Sequence, residues 1–446
     1  MKVSFVVPDF LSGTSFLQQP LDFLYATTLM ERENFFAEII DCRVHHISFT
    51  HLTSLLSDSD LIVITTTPCD QVQNYFLDYR YSYAINTIKY VKENLPHIPL
   101  AVCGAHVSVR PDLVIKEAPA DYYIKGEVIY TAVHLARALA GQTAIEEVPN
   151  IIRFQDQTLM ENRDDPGMYH PVLADDILPD YSKVFMRSYY GVTYVNNIPL
   201  RRLNRAVVQS GRGCPYTCSF CHNFYGRHIH RRSAEAVAEE LFICQNHYGI
   251  EEIFFLDELF SLDPVWLAQL LEEIKKKSIH LEFTVQTRAD HIHPDVLQIM
   301  APMGVKNVWL GVESASDKVL EMSHKGIRLD VTLEAIRQIR EAGMNPNAFF
   351  MLGMPGETVS TLNLTIRELY CNKLSYTRSL MICTPRYNTP LYDMAFQQYP
   401  FVQEHWFNLN AVKGLVHNEM TPAILQKAKT ILKNRDFLFE SKCPQL

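Results

Sequence analysis

Ala206-Val-Val-Gln-Ser210-Gly211-Arg-Gly-Cys214-Pro-Tyr-Thr-Cys218-Ser-Phe-Cys221 is the stretch on which the fold turns. Ala206–Ser210 reads as a short buried strand. It runs straight into a loop holding Gly and Pro and three thiols spaced C-x3-C-x2-C. Such a loop can wrap all three sulfurs around one compact metal site. Thiolates suit iron–sulfur clusters and zinc. A fourth Cys or His would favour a closed tetrahedral zinc site. His222 is the adjacent residue, but Cys221 already takes up that direction. With three ligands, a cubane cluster keeps one iron open. Structural zinc and three unconnected thiols are the alternatives, and this spacing directly after a strand weighs against both.

Outward from the loop, strand-like and helical stretches alternate. Strands fit Ala206–Ser210, Ile253–Leu256, Leu281–Gln286, Asn307–Gly311, Ala348–Leu352 and Ser379–Thr384. Helices fit Ala234–Tyr248, Val265–Lys276, Pro294–Met303, Val331–Glu341 and Thr361–Cys371. The pattern predicts a partial (β/α)6 TIM-type barrel over 205–395, with its chemistry at the carboxyl ends of the strands. Polar and glycine-rich segments fall at those ends: Asp257-Glu258, Arg288-Ala-Asp290, Glu313-Ser314 and Leu352-Gly353-Met-Pro-Gly356-Glu357. Each has a plain structural reading too. Glu313 and Arg288 could form an ion pair inside the barrel, and Asp257 and Glu258 could cap the next segment.

The first third of the chain repeats the alternation. Val3–Val7, Ala37–Asp41, Leu61–Thr65, Leu100–Gly104 and Asp121–Lys125 read as strands between amphipathic helices. This predicts a flavodoxin-like doubly wound domain over 1–145, whose ligands bind beyond the carboxyl ends of its strands. Residues 146–204 have poor periodicity and many Pro, Asp, Asn and Tyr, so they read as a linker with some packed segments. Residues 396–446 read as a partly helical carboxyl-terminal segment. His45 and His46 read as edge-strand residues. No G-x-G-x-x-G and no G-x-x-x-x-G-K-[ST] is present, so a nucleotide fingerprint is absent.

Bulk properties bound the rest. An apolar fraction of 47% in 446 residues can fill more than one core, and a net charge of −9 gives no chain-wide pull toward nucleic acid or anionic membrane. Arg227, Arg231 and Arg232 gather locally, as a solvated helix start or a substrate-steering patch. No apolar run reaches the roughly 18 residues that span a bilayer, and Met1–Pro8 reads as a first strand, not a signal peptide. Ten cysteines without an export signal point to reduced thiols and a cytoplasmic setting. Cys42, Cys103 and Cys383 lie on or beside apolar strands and are expected in cores.

C-x3-C-x-Φ-C, with Phe220 as the aromatic, resembles the signature of the radical S-adenosylmethionine (SAM) superfamily. The strand-end motifs resemble one subgroup of it across roughly 205–395. The resemblance implies a 4Fe-4S cluster on Cys214, Cys218 and Cys221, with SAM chelating the open iron. It also implies SAM contacts from Phe220, Asp257, Glu258, Arg288, Glu313, Leu352 and Gly353. Acidic groups suit the ammonium and ribose hydroxyls, Arg288 suits a carboxylate, and Phe220 can pack on adenine. Electron transfer from the cluster then releases a 5′-deoxyadenosyl radical that abstracts hydrogen from the substrate.

In the first domain, Cys103-Gly104-Ala105-His106-Val107-Ser108 and Ala120-Asp121-Tyr-Tyr-Ile-Lys-Gly126-Glu127 resemble segments of the cobalamin-binding domains fused ahead of such barrels. Thr65-Thr66-Thr67-Pro68 fills the place of a small polar loop there. The implied cobalamin contacts are Thr65, Thr66, Thr67, Pro68, Gly104, Ala105, His106, Ser108, Gly126 and Glu127. D-x-H-x-x-G is absent, so no histidine is expected on cobalt. His106 is expected near the corrin edge or simply as a satisfied loop histidine. The resemblance implies methyl transfer from methylcobalamin to an unactivated carbon of a small-molecule or peptide substrate. A one-electron reductant such as flavodoxin or ferredoxin would serve as partner. Cyclisation or ring rearrangement within the same family, and a non-catalytic corrinoid or iron–sulfur protein, are the alternatives.

Overall fold

The computed structural model of the chain describes residues 1–9, 17–67, 78–156, 158–165, 174–195, 198–223, 225–372, 380–398 and 422–433. It divides into two compact units, Met1–Tyr190 and Gly191–Leu446.

The first unit is built on β1 (Lys2–Val7), β2 (Phe36–Asp41), β3 (Leu61–Thr65), β4 (Leu100–Cys103), β5 (Tyr122–Ile124), β6 (Ile151–Gln155) and β7 (Thr158–Glu161). Strand order is β2-β1-β3-β4-β5-β6-β7. The first five pair in parallel and the last two are antiparallel. β3 and β4 are buried along their whole length. That is why they read as continuous apolar runs, as parallel strands covered on both faces do. Helices Leu21–Arg32 and Val128–Leu139 cover the sheet through Phe23, Ala26, Met30, Ala132 and Leu135, packed on Phe5, Ala37 and Val63. Cys42 and Cys103 are 2% exposed and belong to this unit's interior.

The stretch expected as a linker contributes to both units. β6 and β7 extend the first sheet as a hairpin. Residues near 176–189 then return to the first helix, where Thr28 Oγ1 donates to the Leu178 carbonyl at 2.8 Å. Tyr189 is fully buried and donates its hydroxyl to Asp41 Oδ2 at 2.7 Å. His45 and His46 do not lie on an edge strand. Cys42–His45 forms one helical turn capped by Asp41, and His46, in the left-handed region, places Nδ1 3.0 Å from Asp9 Oδ2.

The second unit holds β8 (Tyr190–Val195), β9 (Ile198–Val208), β10 (Gly211–Arg212), β11 (His230–Arg231), β12 (Glu252–Phe255), β13 (Glu282–Thr287), β14 (Val305–Glu313), β15 (Asn345–Leu352) and β16 (Leu380–Ile382). The large sheet runs β16-β15-β14-β13-β12-β9-β8, and β9, β12, β13, β14, β15 and β16 are parallel neighbours in chain order, as in an open, partial barrel. The helices between them start where the sequence supplies caps. Ser233 accepts from the Ala236 amide, and Asp263 accepts from the Val265 and Trp266 amides ahead of Pro264.

A polar chain crosses the amino-terminal half of this sheet. Arg205 on β9 forks onto Glu252 on β12 at 2.7–2.9 Å. Thr284 on β13 donates to Glu252 at 2.7 Å, Asn307 on β14 donates to Thr284 at 3.1 Å, and Asn345 on β15 donates to Asn307 at 3.2 Å. Each buried charge here has its partner, as a buried pair must if it is not to destabilise the fold. Arg232 is likewise neither a solvated helix start nor a steering group. It is buried, bonded to Glu240, and its carbonyl accepts from the Trp266 indole at 2.8 Å.

Candidate functional site

The three cysteines lie in a loop held at its base by β10 and β11, which pair antiparallel beyond the carboxyl end of β9. Gly213 opens the loop at φ 95°, and a Cβ there would lie 2.0 Å from the His228 carbonyl oxygen. Only glycine fits. The Cys214 amide donates to the Gly226 carbonyl at 3.1 Å, and the Asn223 side chain donates to the Cys214 carbonyl at 2.6 Å. The Cys221 amide donates to the Cys218 carbonyl at 3.1 Å. Ser219 is pinned on both sides, its amide on the Ser323 carbonyl and its carbonyl on the Leu391 amide, each at 3.0 Å. The loop therefore arrives anchored to two helices of its own unit, Asp317–Met322 and Pro390–Gln398.

Cys218 is buried, Cys214 partly so, and Cys221 is exposed. Among the described residues no group of three His, Cys, Asp or Glu side chains is drawn together as a single ion would require. The thiols nonetheless feel one another. Burial pushes the Cys214 thiol above its ordinary value, Glu258 and Cys218 add to the rise, and Arg288 opposes it. A thiolate, the form that binds metal, therefore depends on the cations around it.

Of those cations, Arg288 comes from a strand end and Lys325 from the turn after the helix Asp317–Met322. Arg288, just past β13, places Nη1 3.8 Å from Cys218 Sγ. Its Nε and Nη2 bond the two oxygens of Asp290 at 3.0 and 2.9 Å. Lys325 bonds Glu313 at 3.1 Å and stands 5.9 Å from the centre of the Phe220 ring. The ion pair expected as the plain reading of Arg288 and Glu313 is thus replaced by two separate pairs. Glu313 has φ 66°, in the left-handed region that a non-glycine residue enters only when its surroundings hold it there. Gly311 makes room for the pair: a Cβ there would lie 2.6 Å from Glu313 Oε1 and 2.7 Å from Lys325 Nζ.

The two acidic residues after β12 differ. Asp257 is 1% exposed and spent on the loop's own base: Oδ1 accepts from the Ser210 amide at 2.7 Å, and Oδ2 from the Ser210 hydroxyl. Glu258 keeps Oε2 buried with no hydrogen-bond partner among the described residues. Burial pushes its carboxyl up to about 7, with Asp257 adding to the rise. At the end of β15, Leu352 is fully buried and Gly353 has φ 81°. The Gly353 amide donates to Glu357, whose other oxygen is buried and unpartnered among the described residues. Phe220 packs beside Met351 and Met354 against Val319, Cys383 and Leu391.

In the first unit, the small polar segments meet at the ends of β3, β4 and β5. Thr65 Oγ1 donates to the Thr67 carbonyl at 2.8 Å, and Thr66 Oγ1 donates to the Cys103 carbonyl at 3.1 Å. His106 is fully buried, with Nδ1 2.7 Å from Thr67 Oγ1 and 3.2 Å from Thr66 Oγ1. It lies in the short helix Ala105–Val109, not in a loop. A Cβ on Gly104, at φ 110°, would come 2.8 Å from Thr66 Oγ1 and 3.0 Å from the Thr67 amide, so these ends close flush only with glycine there. The Gly126 amide donates to Ser108 Oγ at 2.9 Å, which ties β5 to β4. Ala105 and Glu127 are buried at the starts of the next two helices. Pro68 lies outside the described residues.

Sequence reasoning did not single out Tyr216 or Lys325. Tyr216 is the one with a local signal, since it falls between two cysteines. Lys325 reaches Glu313 from the turn after a helix, and no spacing announces that.

Residues 208–369 match the model of the radical SAM superfamily. An uncharacterized methyltransferase of Pyrococcus horikoshii is 26% identical over 92% of this chain and 86% of its own length. An anaerobic magnesium-protoporphyrin IX monomethyl ester cyclase of Rubrivivax gelatinosus is 25% identical over 64% of the chain, which spans 51% of that longer protein. The fold matches the radical SAM methyltransferase TsrM of Kitasatospora setae, solved with cobalamin and a 4Fe-4S cluster bound. The TM-score is 0.69 over 89% of this chain and 78% of that one, at 19% identity. Among the described residues no helix is long and apolar enough to cross a membrane. The cysteine loop and the barrel that carries it fall on the residues that match the radical SAM superfamily, so residues 208–369 form a radical SAM domain.

Proposed function

We propose that the chain is a cobalamin-dependent radical SAM methyltransferase acting on an unactivated carbon. The carrying observation is the carboxyl end of the barrel, where three anchored cysteines meet the unpartnered oxygen of Glu258 and the cations Arg288 and Lys325. When bound, a cluster on Cys214, Cys218 and Cys221 supplies the electron that splits SAM, and cobalamin supplies the methyl group. The chain's own residues bind and orient. Glu258 Oε2 has the vacant acceptor an ammonium needs, whereas both Asp257 oxygens are committed to Ser210. Arg288 spends three N–H groups on Asp290 and Cys218, which leaves two of its five for a carboxylate. Glu313, bonded to Lys325, can accept from ribose hydroxyls through its free lone pairs. Phe220 and the Leu352–Gly353 turn offer apolar surface and close backbone approach to adenine.

The first unit fits a broad, flat ligand in two ways. Its order β2-β1-β3-β4-β5 reverses between β1 and β3, where doubly wound sheets bind ligands. Its strand ends carry Thr65–Thr67, Gly104–Ala105 and Gly126, small enough for close approach. Because the hydroxyls of Thr65, Thr66 and Ser108 are engaged by their own unit, the hydrogen bonds to corrin amides fall to the backbone. Histidine coordination of cobalt is not part of this reading. A one-electron donor such as flavodoxin or ferredoxin and a cytoplasmic setting complete it.

The test is anaerobic reconstitution with hydroxocobalamin, followed by turnover with methyl-labelled SAM and candidate substrates. Stoichiometric cobalamin after desalting and a label on substrate carbon are expected. A chain that retains no cobalamin ends the methyltransferase reading and leaves the superfamily assignment standing. The cyclase relative favours a second reading, radical ring closure; a product that has lost hydrogen and carries no label would select it.

A further inference from the structure

Arg288 is more tightly held than a group that only greets a ligand needs to be. Its guanidinium carbon lies 3.5 Å from the centre of the Tyr216 ring, and Tyr216 falls between Cys214 and Cys218 in the loop. The Tyr216 hydroxyl is 2.6 Å from His291 Nε2, so the ring that carries the guanidinium is fixed at its far end. Asp290 grips the other edge of Arg288 through two bonds at 3.0 and 2.9 Å. What these contacts leave is one orientation, with Nη1 3.8 Å from Cys218 Sγ. Arg288 is 5% exposed, so solvent screens it little.

We propose that Arg288 is the cation that sets the reduction potential of the cluster held by Cys218, with Tyr216 and Asp290 as the positioning residues that aim it. This rests on the cluster assignment made above. One-electron reduction adds a negative charge to the cluster and its thiolates. An N–H donor and full positive charge beside a ligand sulfur stabilise the reduced state more than the oxidised one. Hydrogen bonds to the sulfurs, net charge and solvent exposure are the levers by which a protein sets such potentials. The interaction needs no SAM, and that separates it from carboxylate binding.

The experiment is a reductive titration of the reconstituted full chain, monitored by electron paramagnetic resonance, without SAM, with iron and sulfide measured on each sample. In Arg288→Gln the reduced-to-oxidised ratio at a fixed potential should fall about tenfold, a midpoint lowered by about 59 mV for one electron. Tyr216→Leu removes the ring under the guanidinium and should lower the midpoint in the same direction by less. Tyr216→Phe keeps the ring and should restore a midpoint near the parent's. If Arg288→Gln loses its cluster, the neutral Arg288→Met takes its place, and a lowered midpoint there supports the proposal equally. Midpoints in the cluster-loaded Arg288 and Tyr216→Leu variants that match the parent overturn it, even if SAM affinity falls. A parent chain that assembles no cluster refutes the earlier assignment instead.

Discussion

The carboxyl ends of the two sheets are both lined with buried polar side chains, and they engage them differently. In the first unit, Thr65, Thr66, Thr67, His106 and Ser108 bond to one another and to neighbouring backbone. In the second, Glu258 and Glu357 each keep a buried oxygen without a partner among the described residues, and Arg288 is turned onto a cysteine sulfur. An unpartnered buried carboxylate oxygen costs about 1–3 kcal/mol or more. The first arrangement builds a closed platform. The second leaves carboxyl oxygens unpartnered among the described residues, at a cost that a hydrogen-bonding ligand would relieve.

The sharpest break of this contrast is at the cysteines. Cys214→Ala, Cys218→Ala or Cys221→Ala should abolish iron and sulfide uptake, because three ligands is already the minimum. Cys103→Ala, in the core of the other sheet, should leave iron content unchanged. Metal analysis after anaerobic reconstitution checks both.

Next in size is the acidic pair after β12. Glu258→Gln should weaken SAM binding ten- to a hundredfold, the worth of about 1.5–3 kcal/mol for a charged hydrogen bond, as read by equilibrium dialysis. Asp257→Asn should instead show itself in thermal melting, since its bonds run to Ser210 and not to a ligand.

Burial pushes the Glu357 carboxyl up to about 7. A carboxyl with a raised folded-state pKa holds its proton more tightly when folded. Its contribution is complete below its ordinary range near 4.5 and is lost as pH rises through about 7. The size is about 3 kcal/mol at roughly 1.4 kcal/mol per unit. The melting temperature of the metal-free chain should therefore fall more steeply from pH 4.5 to 7 in the parent than in Glu357→Gln; equal slopes would remove Glu357 from the account.

The smallest effect belongs to the closed platform. Thr67→Val removes one buried hydrogen bond, to His106, and should cost about 1 kcal/mol in urea unfolding with iron content unchanged.

Much of this was legible in the sequence, for reasons that differ by region. The cysteine loop is local: three ligands within eight residues, with a glycine before the first, need no tertiary information. The parallel strands were legible because burial on both faces leaves unbroken apolar runs such as Leu61–Thr65. The β6–β7 hairpin was not, since every residue of Thr158–Glu161 is exposed and no alternation marks it as a strand. Pairings across the barrel were also hidden. Arg288 could have met Glu313 on charge alone, but the left-handed backbone at Glu313 and the missing side chain at Gly311 give that carboxylate to Lys325. Arg231 and Arg232 read as a basic patch because Glu240 and Trp266, which absorb them, lie a helix away.

The central claim is that this barrel end carries out reductive SAM chemistry on the three cysteines. The direct measurement is chromatographic quantification of 5′-deoxyadenosine after anaerobic reduction of the iron-loaded chain with SAM. The parent should form it together with methionine, and Cys218→Ala should form none. An iron-loaded, fully reduced parent that binds SAM and yields no 5′-deoxyadenosine would contradict the account.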